Sequence, residues 1–174
     1  MTLDGKRITI GLTACTPVDQ MPALMRELRR RGVILKVTVT PNTLNFITPL
    51  VLRRAANCAV DIDAFEEPAI WDPKHRSIAD ADLLLIAPAS ANTIGKAANG
   101  IADNLLTTTI LSTNAPVVFV PHINQVMYAQ KSVQRNIQTL RDDGAVFVDN
   151  TQGRLGSMPG NEVIIKAITD ILIP

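Results

Sequence analysis

Residues Pro88-Ala89-Ser90-Ala91-Asn92-Thr93 form a run of small and polar groups. Small side chains let a flat ligand approach the backbone, and Ser90 and Asn92 offer donors and acceptors to the edge of a heterocycle. The alternative is a plain strand-to-helix turn capped by Ser90 or Asn92. Thr13-Ala14-Cys15-Thr16 precedes a predicted helix start, where hydroxyls and free backbone N–H groups can hold a phosphate. Equally, Thr16 can serve only as the helix cap. Thr38, Thr40 and Thr43 carry the same ambiguity. The chain has two histidines, His75 and His122, and an imidazole with its ordinary pKa of about 6.5 suits proton transfer near neutrality. There is no G-x-G-x-x-G and no G-x-x-x-x-G-K, which disfavours the usual dinucleotide or P-loop nucleotide. There is also no C-x-x-C zinc pattern, and no metal is expected.

The segments that must position these groups alternate between strand-like and helix-like. Arg7–Thr13 is β-branched and reads as a first strand. Thr16 with Pro17 and Asp19 reads as a helix start, and Met21, Leu24, Met25 and Leu28 follow on one helical face, ended by Gly32. Val33–Thr40 is a second strand. Asn42–Ala56 is predicted helical, with Pro49 starting or kinking a turn. Ala59–Ile62 is a short strand, and Asp63–His75, with two prolines and several acids, reads as loop. Asp82–Ala87 is apolar after its first residue and Pro116–Val120 is apolar throughout, as strands buried on both faces are. Helical patterning runs over Thr93–Ser112, interrupted at Asn99-Gly100, and over Ser132–Asp143, ended by Gly144. Ala145–Val148 is a strand, 149–160 a loop and Asn161–Ile173 the last helix. This alternation predicts an α/β fold: a doubly wound, Rossmann-like parallel sheet with helices on both faces, in one domain spanning 1–174. Ligands bind such sheets at the carboxyl ends of the strands, which selects the loops after Thr13, Thr40 and Ala87.

Composition agrees with a dense aliphatic core. Of 174 residues 47% are hydrophobic and only 3% aromatic, and 17 Lys+Arg against 16 Asp+Glu leave a net charge of +1. A near-neutral chain has no general attraction for nucleic acid or anionic lipid. Two cysteines, Cys15 and Cys58, make no disulfide framework and read as small buried residues. Met1–Arg7 has no apolar signal core, and no apolar run approaches the ~20 residues needed to span a bilayer. A cytoplasmic location is expected. Arg29-Arg30-Arg31 reads as a solvated helix end.

Residues 88–93 match the PASANT signature of the homo-oligomeric flavin-containing cysteine decarboxylases, which this chain resembles over nearly its whole length. A second family motif, P-x-M-N-x-x-M-W, occurs as Pro121-His122-Ile123-Asn124-Gln125-Val126-Met127-Tyr128. Phe46-Ile47-Thr48-Pro49-Leu50 and Asn99-Gly100-Ile101-Ala102-Asp103-Asn104-Leu105 extend the likeness. The resemblance implies oxidation of a cysteine side chain by flavin to a thioaldehyde. That group is an electron sink for loss of CO2 from Cα, and an ene-thiol remains. It implies flavin contacts at Thr13, Thr16 and Thr40 (phosphate and ribityl chain), Phe46 (ring), Ser90, Asn92 and Thr93 (isoalloxazine), and Asp103. FMN is the commoner cofactor, with FAD possible. Asn124 matches the asparagine that contacts the substrate carboxylate, with Met127 and Met158 beside the substrate; its alternative reading is a helix cap. His75 is the candidate base, but it stands 13 residues before Pro88, one fewer than the family spacing, and the usual H-I-x-L reads His75-Arg76-Ser77-Ile78. His122 is the alternative base. Ile123 replaces the motif methionine and Tyr128 the tryptophan, changes that roughly keep apolar volume.

By the same resemblance, Gly153–Gly160 corresponds to a clamp over the substrate. The coenzyme A branch of the family carries a cysteine there that helps return hydride and a proton to the ene-thiol; this segment has none. The expected reaction therefore ends at the oxidised ene-thiol, on the C-terminal cysteine of a lanthipeptide-type precursor peptide that goes on to an aminovinyl-cysteine ring. The alternatives are phosphopantothenoylcysteine decarboxylation in coenzyme A biosynthesis and a non-catalytic flavin-binding regulatory subunit. The resemblance implies a homo-oligomer, trimer or dodecamer, in which His75 and Asn124 can reach one flavin from different chains.

Overall fold

Among the described residues the alternating pattern folds into six parallel strands in the order β3-β2-β1-β4-β5-β6. The strands are β1 (Arg7–Leu12), β2 (Ile34–Val39), β3 (Val60–Asp61), β4 (Leu83–Ala89), β5 (Val117–Pro121) and β6 (Val146–Phe147). The computed structural model describes residues 2–63, 74–150 and 154–173. Among these, the helices are α1 (Met21–Arg30), α2 (Pro49–Ala56), α3 (Lys74–Ala79), α4 (Ala91–Ala98), α5 (Leu105–Ser112), α6 (Gln125–Tyr128), α7 (Lys131–Asp142) and α8 (Asn161–Leu172). This is the doubly wound order, and the direction of winding reverses between β1 and β4.

The apolar strands are explained by burial on two sides. Along β4, Leu83, Leu85 and Ala87 enter one core with Ile8, Ile10 and Leu12 of β1, packed under Leu24, Met25 and Leu28 of α1 and Ile164 and Ile168 of α8. Leu84, Ile86 and Ala89 enter the other, with Ile94, Leu106, Phe119 and Ile137. Successive strand residues point to opposite faces, so a strand covered on both sides is apolar at every position. At Gly11 the second face is filled so closely that a Cβ would lie 2.4 Å from Leu106.

Three predicted elements differ, each for a physical reason. Thr16 does not cap an α-helix. Thr16–Gln20 is a 3-10 turn entered from extended Cys15 without a side-chain cap bond, and α1 begins at Met21. Pro22 has no N–H to donate to residue 18, so the α-helical ladder cannot run through it. Pro49 acts in the same way: Pro41–Asn45 is a 3-10 turn, and the α-helix restarts at Pro49. His75 lies in helix α3 and not in a loop. A helix this short is marginal alone, but the Thr9 hydroxyl donates to Ile78 O (2.6 Å) and the Thr113 hydroxyl to Ala79 O (3.0 Å), satisfying its last carbonyls from outside. Most of the segment predicted as loop, 64–73, lies outside the described residues.

Candidate active site

The loops at the carboxyl ends of β1, β2, β4 and β5 are tied to one another by side chains. Thr13 is the centre of this joint. Its buried hydroxyl donates to Pro88 O (2.7 Å) and accepts the Ser90 N–H (2.9 Å), fastening the end of β4 to the end of β1. Thr43, also buried, donates to Leu12 O (3.1 Å), so its only proton is used and the 2.9 Å contact with Thr40 Oγ1 is donated by Thr40. The lone pairs of Thr40 Oγ1 have no partner among the described residues. Ser90 caps α4, its Oγ accepting Thr93 N–H (3.2 Å) and donating to Thr93 Oγ1 (3.2 Å). Thr93 is buried, whereas Thr16 and Asn92 are exposed. Phe46, which follows β2, is 51% exposed, an unfilled apolar surface beside these hydroxyls. Thr38 is buried within β2, and its hydroxyl has no partner among the described residues.

The β5 loop brings Asn124. Its Oδ1 accepts Val126 N–H (2.9 Å), so the cap reading holds, and the bond fixes the amide plane while leaving Nδ2 to donate. His122 sits where three loops meet. Its N–H donates to Ala89 O (3.0 Å), its carbonyl faces the Cys15 thiol (3.5 Å), and its Nδ1 accepts Met158 N–H (3.3 Å). Residues 154–160 dock on the same loop, with Ile123 N–H donating to Gly156 O (2.6 Å). Asp149, following β6, accepts from Tyr128 OH (3.2 Å) and Gly156 N–H (3.3 Å) and pairs with Arg141 (3.7 Å). Gly156, at φ +72°, passes so close to the Tyr128 ring that a Cβ would lie 2.5 Å from it.

Electrostatics at this edge favour neutral groups. Burial lowers the His122 pKa below the ordinary histidine value, and the positive charge of Arg154 lowers it further. Burial pushes the Cys15 thiol up, partly offset by the Thr13 hydroxyl 3.4 Å away. Tyr128 is likewise held neutral, chiefly by burial and then by Asp149.

The structure thus collects Thr13, Thr16, Thr40, Phe46, Ser90, Asn92, Thr93, Asn124 and Met158 along one edge, with Met127 half-exposed on α6. It does not bring His75 beside Asn124 within one chain. His75 follows Lys74, whose ammonium pairs with Asp61 of β3 (3.4 Å). Asn124 lies beyond β5, with β2, β1 and β4 between. At the usual spacing of about 4.8 Å per strand, β3 and β5 are roughly 19 Å apart. Asp103 stands at the α4–α5 connection, its carboxyl pulled below the usual carboxylate range by the Lys96 ammonium 2.6 Å away.

A family model described as Flavoprotein matches residues 1–172. The chain belongs to the flavoprotein family. It is 38% identical over 154 residues to the coenzyme A biosynthesis bifunctional protein CoaBC of Bacillus subtilis, covering 88% of this chain and 38% of that protein. To the protein of the same name from Haemophilus influenzae it is 34% identical, covering 98% of this chain and 44% of the relative. The chain thus spans less than half the length of these curated relatives. Among solved structures it is similar to the FMN-dependent cysteine decarboxylase SpaF, at 30% identity and a TM-score of 0.88, covering 98% of this chain and 97% of that one. The FMN-dependent cysteine decarboxylase TvaF from thioviridamide biosynthesis matches at 30% identity and a TM-score of 0.80, covering 96% and 98%. The peptidyl-cysteine decarboxylase EpiD matches at 27% and 0.80, covering 97% and 98%.

The residues at this flavoprotein edge fit a flavin. Exposed Phe46 offers a flat apolar surface, while Thr16, Asn92 and the lone pairs of Thr40 are hydroxyl and amide groups uncommitted within the described chain. Thr13 differs from its companions: its hydroxyl is committed inside the protein, and it holds the Ser90 turn in place. Sequence reasoning missed Asp149. Its signal was position alone, a carboxylate just past the end of a strand in a fold whose strand ends carry function. No described helix is long and apolar enough to cross a membrane.

Proposed function

We propose that this flavoprotein is a flavin-dependent decarboxylase of the C-terminal cysteine of a precursor peptide, releasing CO2 and leaving an ene-thiol. The observation that carries the peptide reading is the missing thiol. Residues 149–160 contain no cysteine. Cys15, the thiol nearest that segment's anchor at His122, is buried, kept protonated, and directed at Thr13 Oγ1 and His122 O. Among the described residues, no thiol beside that segment is therefore free to deliver a proton to the product, as a return of hydride from the reduced flavin would require.

The residues divide the work as follows. Asn124 Nδ2 donates to the substrate carboxylate. An uncharged donor orients that group without holding its negative charge as a fixed cation would, so CO2 is free to leave. Met127 and Met158 give an adaptable apolar lining for the peptide end. Thr16, Thr40 and Asn92 bind the flavin's polar parts and Phe46 its ring, Ser90 and Thr93 shape the turn beside it through their mutual bonds, and Asp103 is assigned to the flavin by resemblance. FMN is the cofactor of this reading, and when bound it supplies the two-electron oxidation of the cysteine side chain. His75 is the general base, delivered to the site of a neighbouring subunit in a homo-oligomer.

A second reading, phosphopantothenoylcysteine decarboxylation, is favoured by the identity of 34–38% to coenzyme A biosynthesis proteins. One experiment separates the two. The purified protein is examined for a flavin spectrum, then offered a peptide ending in Cys and, separately, phosphopantothenoylcysteine. Mass loss of CO2 plus two hydrogens from the peptide supports the first reading. Turnover of the small thiol alone overturns it in favour of the second. Bound flavin with neither reaction leaves a regulatory flavin-binding subunit.

A further inference from the structure

His122 occupies a position where the family motif fixes no residue, yet it makes the side-chain contact that joins the β5 loop to residues 154–160. Its backbone is clamped on both sides, by Ala89 O at 3.0 Å and the Cys15 thiol at 3.5 Å, so the ring is carried on a fixed support. From that support Nδ1 accepts Met158 N–H at 3.3 Å. An imidazole nitrogen accepts only when it bears no proton, so the contact requires neutral His122 with its hydrogen on Nε2. The neighbouring side chains do not oppose this state. Burial, and then the positive charge of Arg154, keep the ring uncharged, and the Cys15 thiol is itself neutral.

We propose that His122 is a positioning residue whose neutral Nδ1 pins residues 154–160 against the substrate edge and thereby sets substrate affinity, without entering the chemistry. The substrate half of this statement rests on the function proposed above; the pin itself does not. Gly156 against Tyr128 and Ile123 N–H on Gly156 O fix one side of the segment. The His122 bond fixes the other, next to Met158. Protonation puts a hydrogen on Nδ1, turning the acceptor into a donor that faces another donor.

The test uses the flavin-loaded protein and two variants. His122→Ala removes the acceptor. His122→Asn restores one, because Oδ1 lies near the former place of Nδ1 and does not titrate. Hydrogen exchange of the peptide covering 154–160, followed by mass spectrometry, is expected to speed up on the order of fivefold in H122A, the worth of one ordinary hydrogen bond, and to stay near wild type in H122N. With the Cys-terminated peptide, KM is expected to rise on the order of fivefold in H122A, with kcat and flavin content held. Wild-type KM should climb as pH falls from about 7.5 to about 5.5 while that of H122N stays flat. Equal exchange in wild type and H122A overturns the pin. A collapse of kcat in both variants overturns it in favour of His122 as the base. If exchange responds as stated but only phosphopantothenoylcysteine turns over, the peptide reading falls and the pin stands.

Discussion

Replacing Thr13 by Val removes one hydroxyl from the joint that holds the ligand edge together and keeps nearly the same shape. Thr13 is 1% exposed, and its Oγ1 serves two partners at once, Pro88 O at 2.7 Å and Ser90 N at 2.9 Å. A buried donor or acceptor left without its partner costs about 1–3 kcal/mol. The two losses are adjacent and not fully additive, so Thr13→Val should destabilise the fold by about 2–4 kcal/mol. Thr13→Ser is the control. It keeps both hydrogen bonds and loses one buried methyl, for about 1 kcal/mol. Urea unfolding followed by far-UV circular dichroism gives both numbers. Flavin titration by fluorescence quenching then asks whether the Ser90 turn still binds, and T13V should weaken flavin more than T13S does. If T13V is as stable as T13S, or binds flavin as well, then the hydroxyl does not organise this edge, and the account of Thr13 as its fastening fails.

Other predictions follow from the same geometry. Asn124→Asp keeps an oxygen to cap Val126 N–H but replaces the outward donor with negative charge, so flavin content should hold while KM for a Cys-terminated peptide rises at least about tenfold by steady-state kinetics. His75→Ala should retain flavin and lose about 100-fold or more in kcat if a base is lost; full activity would remove His75 from the mechanism. Burial and Arg154 depress the His122 pKa from 6.5, so as pH falls the unfolded chain takes the proton first. Its contribution to stability is complete above about 6.5 and is lost as pH drops through the lower folded-state value. Urea midpoints measured across that range should slope in wild type and flatten in His122→Asn.

Much of the fold was legible because its signals are local. The apolar runs 83–87 and 117–120 announced strands covered on both faces, and Met21, Leu24, Met25 and Leu28 announced one helical face; all four are fully buried. The helix start predicted at Thr16 failed for a local cause, Pro22 cutting the α-helical ladder where hydrophobic spacing alone runs on, whereas the break predicted at Pro49 is where α2 begins. The helical state of His75 was not readable. The groups that complete α3 come from Thr9 and Thr113, far away in the chain.

By itself, the sequence determined the alternating α/β plan, the strand ends at which sheets of this kind bind ligands and the two motifs by which the chain resembles its family. Each depends on residue identity at short spacing, which a linear reading preserves. Only the tertiary structure decided what each polar group is free to do. Thr13, Thr16 and Thr40 look alike in sequence, yet Thr13 is spent fastening β4 to β1 while Thr16 stays exposed. Asp149 and Gly156 meet Tyr128, and His122 meets Met158, through contacts that join separate loops. A hydrogen bond spends a lone pair or a proton wherever the partner comes from, so the role of a hydroxyl or an imidazole is settled by the partners that folding brings to it.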